Sequence, residues 1–203
     1  MPSRLKRIQK TDLSIDPSSH IDAASTALLV LDLQKIFLGG IGEADSIVKR
    51  TSLAIKAAEL FKLPVMVSEQ IPEKLGGTIE TVKSVLPADT HIFPKESFAV
   101  TGSEEFMSVL HGMGVEHVLI AGIETAVCVY QTVLALHREG YGVTILSDCV
   151  GGRRPADSQT ALLFLGGVDG VQVLPSETVF YSMLGTSSHP DFRAFTQLVK
   201  TYA

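Results

Sequence analysis

Three side chains of this 203-residue chain have the types needed for covalent acyl chemistry if folding brings them together: Asp32, Lys95 and Cys128. Each stands at the end of a short apolar run. A cysteine in the first turn of a helix meets unpaired backbone N–H groups and the positive end of the helix dipole, which favour thiolate over thiol. A neighbouring ammonium adds to that effect. A carboxylate within reach can take the thiol proton and later return it to a leaving group, the pairing of nucleophile and base. Backbone N–H groups of the turn before Cys128 can hold the oxyanion of a tetrahedral intermediate. Singly, each residue has an ordinary explanation. Cys128 lies between Val127 and Val129 and could be packing, Asp32 a cap or loop residue, Lys95 a solvated side chain; Cys149 is read as packing alone. The joint placement is what speaks for a site.

That placement depends on the elements that carry the three residues. Residues 26–32 form an aliphatic run ending in Asp32, the pattern of a strand buried on both faces of a parallel sheet. Residues 44–62 carry apolar side chains at helical spacing. Further strands are expected at 64–68, 91–93, 117–122, 142–147 and 171–174. Helices are expected at 103–113, 126–139, 155–165 and 190–202, with the fourth strand's helix closed by Gly140. A loop with Pro and Gly spans 70–78. Six strands separated by helices predict an α/β fold of three layers, a doubly wound, Rossmann-like parallel sheet, because each parallel crossover needs a helix-length return. Ligands of such sheets sit beyond the carboxyl ends of the strands, where Asp32, Lys95 and Cys128 fall.

Composition narrows the partners. The net charge of −5, with 45% hydrophobic and 19% charged residues, disfavours a phosphate-neutralising nucleic-acid surface and anionic lipid. It favours a small-molecule substrate. No apolar run approaches the roughly 20 residues of a membrane-spanning helix. Two cysteines make neither a disulfide framework nor a four-ligand zinc site, which favours a reducing compartment. Cytoplasmic residence is expected, with a mitochondrial alternative because residues 1–10 hold four basic residues and no acid. No dinucleotide fingerprint, phosphate loop or nucleophile elbow is present, and the six histidines lack metal-binding spacing. No cofactor and no metal are expected.

The segments 29–34 (LVLDLQ), 93–98 (FPKESF) and 122–129 (GIETAVCV) resemble, in order and spacing, the three signatures of the isochorismatase-like cysteine hydrolase superfamily. The match spans about residues 24–202. Residues 68–72 (SEQIP) with Leu75, Gly76 and Thr78 are similar to the isochorismatase domain-containing branch, some of whose members carry a ribonuclease label. The resemblance implies a sheet of order 3-2-1-4-5-6 and a triad of Asp32 as general base, Lys95 as electrostatic partner and Cys128 as nucleophile. It implies a cis peptide between Ile123 and Glu124, with the N–H groups of Glu124 and Cys128 as the oxyanion hole. Gln34, Phe37, Glu69 and Phe98 would line the substrate pocket. Nicotinamidases of the superfamily carry a metal-binding histidine where this chain has Ile71, which argues against metal and nicotinamide here. The chain is thus read as a basic arm at 1–23 and a hydrolase domain at 24–203. It would act on a small carboxamide or related acyl compound through a thioester, as a homo-oligomer. Competing readings are a non-catalytic binding or scaffold protein and a ribonuclease.

Overall fold

The computed structural model describes residues 21–202; most of the basic arm expected at 1–23 lies outside the described residues. Strand β1, Thr26–Leu31, is buried along its whole length, and its side chains alternate between two cores. Leu28 and Val30 face one, while Ala27, Leu29 and Leu31 face the other. This alternation places β1 at the centre of a sheet covered on both sides. Helix α1, Lys35–Leu38, and helix α2, Ala44–Leu60, follow. Next come β2, Val65–Gln70, and two short helices, α3 at Pro72–Leu75 and α4 at Glu80–Lys83. Strand β3, His91–Lys95, leads to helix α5, Glu104–Gly112. The Ser103 side chain caps α5 by accepting the Phe106 N–H.

The second half holds β4, His117–Ile123, then a π-helical turn at Thr125–Val129 and helix α6, Tyr130–Arg138. Strand β5, Gly142–Gly151, helix α7, Pro155–Leu165, and strand β6, Val171–Leu174, complete the sheet. Helices α8, Ser176–Leu184, and α9, Phe192–Thr201, close the described chain. All pairings in the sheet are parallel, and the order is β3-β2-β1-β4-β5-β6. Helices α2, α8 and α9 pack on one face through Ile55, Phe180 and Phe195. Helices α5, α6 and α7 pack on the other through Phe106, Val133 and Leu165. The chain reverses its winding between β1 and β4, so a crevice opens beyond the carboxyl ends of those two strands.

The structure differs from the sequence pattern at several points: β2 and β3 run two residues further than expected, to Gln70 and Lys95, helix α3 falls within the expected loop at 70–78, and α1, α4 and α8 are additional helices. Strand β5 runs on to Gly151, past the expected end at 147, because its register with β4 shifts. Ile120 pairs with Ile145, but Gly122 pairs with Val150. Extra residues of β5 are taken up between these pairings, and the Asp148 carboxylate there accepts the Ser176 N–H and hydroxyl at 2.7 Å each and Arg50 Nε at 2.7 Å. Helix α8 was not expected; Val179, Phe180 and Leu184 bury it against α2 and β5. Among the described residues, no helix is long and apolar enough to cross a membrane.

Candidate active site

Each of the three chemically capable residues is delivered by a strand end. Asp32 directly follows β1 and adopts a left-handed backbone, φ 54°, a conformation Asp tolerates better than most residues. Its N–H still bonds Ser68 O on β2 at 3.1 Å, which keeps the turn attached to the sheet. Gly122 on β4 makes the neighbouring approach close. At φ 112° a Cβ there would lie 2.0 Å from Leu31 O, so only glycine fits beside the residue preceding Asp32.

The geometry brings Asp32, Lys95 and Cys128 together. Lys95 Nζ lies 2.7 Å from Asp32 Oδ2 and 3.7 Å from Cys128 Sγ. The Lys95 and Asp32 side chains are 0% and 1% exposed, and Cys128 is buried as well. Buried charges persist when paired and hydrogen-bonded, and this pair is. Ser68 Oγ donates to Asp32 Oδ1 at 2.7 Å. Lys95 Nζ donates also to Gln70 Oε1 and, at 3.3 Å, to Ser97 O.

Cys128 sits in the π-helical turn before α6, not in the first turn of an α-helix. The expectation of a resting thiolate is corrected by its surroundings. Burial, reinforced by the Asp32 carboxylate, pushes the thiol up to about 12, and the Lys95 ammonium offsets only part of this. The sulfur therefore rests as a thiol at neutral pH, and its proton must leave as it reacts. The Ile123–Glu124 peptide is cis. In the turn that follows, Glu124 O accepts the N–H groups of Val127 and Val129 at 3.0 and 3.2 Å, passing over that of Cys128 between them.

The other residues singled out in the sequence fall less uniformly. Gln34 is fully buried, but its amide is taken up by the backbone. Its Oε1 accepts Gln70 N–H at 2.7 Å, and its Nε2 donates to Gln70 O at 2.9 Å and to Gly76 O. It thus fastens the loop after β2. Glu69 does similar work, with Oε1 accepting the Thr78 N–H at 2.7 Å. Phe37 is half-buried against the α2-side core, and Phe98 is 52% exposed near Lys95 in the chain. The Glu124 side chain turns away to Arg153, with Oε2 accepting its N–H at 3.2 Å and Oε1 facing its Nε at 3.3 Å. A cavity of about 300 Å³ opens beside the turn that bears Cys128, lined by Glu124, Ala126, Val127, Arg153, Asp157 and Ser158 among others.

Sequence reasoning passed over Ser68 and Gln70 as functional residues. Their signal was the alternation along β2: Ser68 and Gln70 share one face, with Glu69 on the other. The register sets Ser68 beside Leu31 and Gln70 beside Lys95.

The fold that carries these residues recurs in known proteins. The structure is similar to that of MAR1 ribonuclease from Caenorhabditis elegans, with TM-score 0.83 and 31% identity, covering 90% of this chain and 93% of that one. It shares its fold with the YcaC gene product of Escherichia coli, described as an octameric hydrolase of unknown specificity (TM-score 0.76, 21% identity, 92% of this chain and 99% of that one). In sequence it is 29% identical over 194 residues to isochorismatase domain-containing protein 1 of Salmo salar, covering 96% of this chain and 67% of the relative. The isochorismatase domain itself matches residues 26–172, a span that includes all three strand ends bearing the site, and the chain belongs to the isochorismatase family, in its isochorismatase domain-containing branch.

Proposed function

We propose that this isochorismatase-family protein is a cysteine hydrolase that cleaves a small carboxamide or a related acyl C–N bond through a thioester. One observation carries the reading: a buried ammonium touches both a carboxylate, at 2.7 Å, and a cysteine sulfur, at 3.7 Å. In this mechanism the Cys128 proton passes to Asp32 as the sulfur attacks the carbonyl carbon. Lys95 holds the carboxylate and offsets the charge that grows on sulfur. The oxyanion is received by the N–H groups of Glu124 and Cys128. Collapse of the intermediate breaks the C–N bond, and Asp32 returns the proton to the departing nitrogen, releasing ammonia or an amine. Water then gives a proton to Asp32 and attacks the thioester, which frees the acid and restores the thiol.

The cavity beside the turn is lined by Glu124, Arg153, Asp157 and Ser158 and by neither Asp32, Lys95 nor Cys128; in this reading it holds the polar part of a small substrate next to the sulfur-bearing turn. In this reading Phe37 and Phe98 would line the substrate pocket, and Gln34 and Glu69 would shape it by fixing the loop after β2. A homo-oligomer belongs to the same reading; Ile36, Phe98, Leu163 and Phe164 are large apolar side chains left exposed on the described surface, and such surface is often covered by another subunit.

The test is a screen of carboxamides for acid and ammonia release, with Cys128→Ala as control. Turnover that disappears in the variant while the fold is kept supports the reading. Turnover at wild-type rates in the variant refutes covalent catalysis, and ligand binding without turnover across the screen favours a binding protein. The name of the C. elegans structure makes RNA a needed arm of the screen. RNA cleavage that depends on Cys128 would replace the carboxamide reading, although the acidic chain offers no electrostatic reason for it.

A further inference from the structure

Gln70 takes no part in the chemistry just described, yet every polar atom it owns is engaged. Its Oε1 accepts from Lys95 Nζ, and its Nε2 donates to Glu96 O at 2.6 Å. The donor end of the amide is thereby fixed, so the oxygen must face the ammonium. Its backbone is held as firmly: Gln34 Oε1 accepts its N–H at 2.7 Å and Gln34 Nε2 donates to its carbonyl at 2.9 Å. An ammonium has three protons in tetrahedral array. Asp32 Oδ2 and Gln70 Oε1 take two of them, which directs the third toward Ser97 O at 3.3 Å and Cys128 Sγ at 3.7 Å. Without Gln70, Asp32 would be the strongest acceptor left to Lys95, and the ammonium would turn toward the carboxylate and away from sulfur.

We propose that Gln70 is the positioning residue of the triad: a neutral, doubly anchored acceptor that orients the Lys95 ammonium so that one N–H addresses the Cys128 sulfur. The proposal rests on the cysteine-hydrolase reading, and its test needs no substrate. The rate of Cys128 alkylation by iodoacetamide at pH 9 follows the thiolate fraction, with Cys149, fully buried on β5, as internal control. Gln70→Met keeps the side-chain length and removes the acceptor. It should slow Cys128 about tenfold, the scale of one hydrogen bond to a charged group, toward the slower rate of Lys95→Gln, and leave Cys149 unchanged. A residue of merely structural importance would lower the melting temperature without moving the rate in the folded protein.

An unchanged or faster Cys128 in Gln70→Met, with Lys95→Gln slow, overturns the proposal and leaves the triad reading standing. A Lys95→Gln rate equal to wild type overturns both. Should Gln70→Met fail to fold, Gln70→Glu sets a second carboxylate against the ammonium and must slow Cys128 by more than tenfold; a wild-type rate in that variant overturns the contact itself.

Discussion

Replacing Asp32 by Asn should make Cys128 more reactive toward an alkylating agent and at the same time abolish turnover. The two effects have one cause. In the folded protein Asp32 is a negative charge whose field helps hold the Cys128 proton on. In the proposed mechanism it is also the base that receives that proton during attack. Asn keeps the shape and removes the charge; its single oxygen can take the Lys95 bond made by Oδ2, while its NH2 faces Ser68, whose hydroxyl can turn from donor to acceptor. The contacts of 2.7 and 3.7 Å through Lys95 Nζ place Oδ2 no more than roughly 6 Å from the sulfur. A unit charge at about 5–6 Å interacts by about 3 kcal/mol at an effective dielectric near 20, which is about a hundredfold in thiolate fraction. A less basic thiolate is also a weaker nucleophile, with a Brønsted slope near 0.4–0.5. The net gain in alkylation rate is therefore about tenfold. The sign is fixed by the folded protein: losing a negative neighbour lowers the thiol toward its ordinary value and raises the thiolate at any pH below it. The assay is iodoacetamide labelling of Cys128 followed by peptide mapping from pH 7 to 10. Wild type should rise with pH without a plateau over that range, since its thiol sits at about 12. Slower or unchanged labelling in Asp32→Asn would show that the carboxylate does not govern the sulfur, and substrate turnover retained by the variant would remove Asp32 as the base.

Three further outcomes follow from other features of the fold. Gly122→Ala should cost about 3 kcal/mol or more in denaturant unfolding, because its Cβ would meet Leu31 O at 2.0 Å and push β1 from β4; stability within about 0.5 kcal/mol of wild type would contradict that approach. Asp148→Asn should cost about 2 kcal/mol at neutral pH by leaving Arg50 short of a partner. Burial alone would raise the Asp148 carboxyl, but bonds from Ser176 and Arg50 hold it below its usual value, so wild type keeps this contribution above about pH 4 and loses it on further acidification, while the variant's curve should be flatter there. His117 is pulled down to about 4 by burial, and it bonds Thr144 Oγ1 at 2.8 Å while that hydroxyl donates to Gln172. The unfolded chain therefore binds a proton between about pH 6.5 and 4 that the folded one refuses, so wild type should lose about 2–3 kcal/mol across that window and His117→Gln should not; equal slopes in urea titrations at several pH values would exclude His117 as the titrating group.

The fold was legible because its signals are local and repeat. An aliphatic run such as 26–31 can be satisfied only by burial on both faces, and a parallel neighbour requires a return helix, so the layers follow from pattern alone. The missed elements lack such a pattern or depend on distant partners. Strand β5 continues beyond 147 because Arg50 and Ser176 satisfy Asp148, and nothing near Asp148 in the sequence announces them. At the site, residue types could nominate Asp32, Lys95 and Cys128, since strand ends converge in any sheet of this winding. They could not set the state of the sulfur. Sequence placed Cys128 at a helix start, where dipole and lysine argue for a thiolate. The folded site encloses it against a carboxylate already paired with that lysine, and burial with Asp32 outweighs the ammonium. The balance between opposing charges depends on separations of a few ångströms that no spacing in sequence encodes. The same reasoning explains why Gln70 went unnoticed: an amide on a strand has no chemistry of its own, and acquires a role only because the register sets it beside Lys95. A neutral acceptor there has a further consequence. It adds no charge to the buried pair, so Lys95 remains a full positive partner for both Asp32 and the sulfur, whereas a carboxylate in its place would hold the ammonium for itself. Under the proposed mechanism a thiol held up by burial and Asp32 would lose its proton only as it attacks a bound carbonyl, which would limit side reactions of a free thiolate.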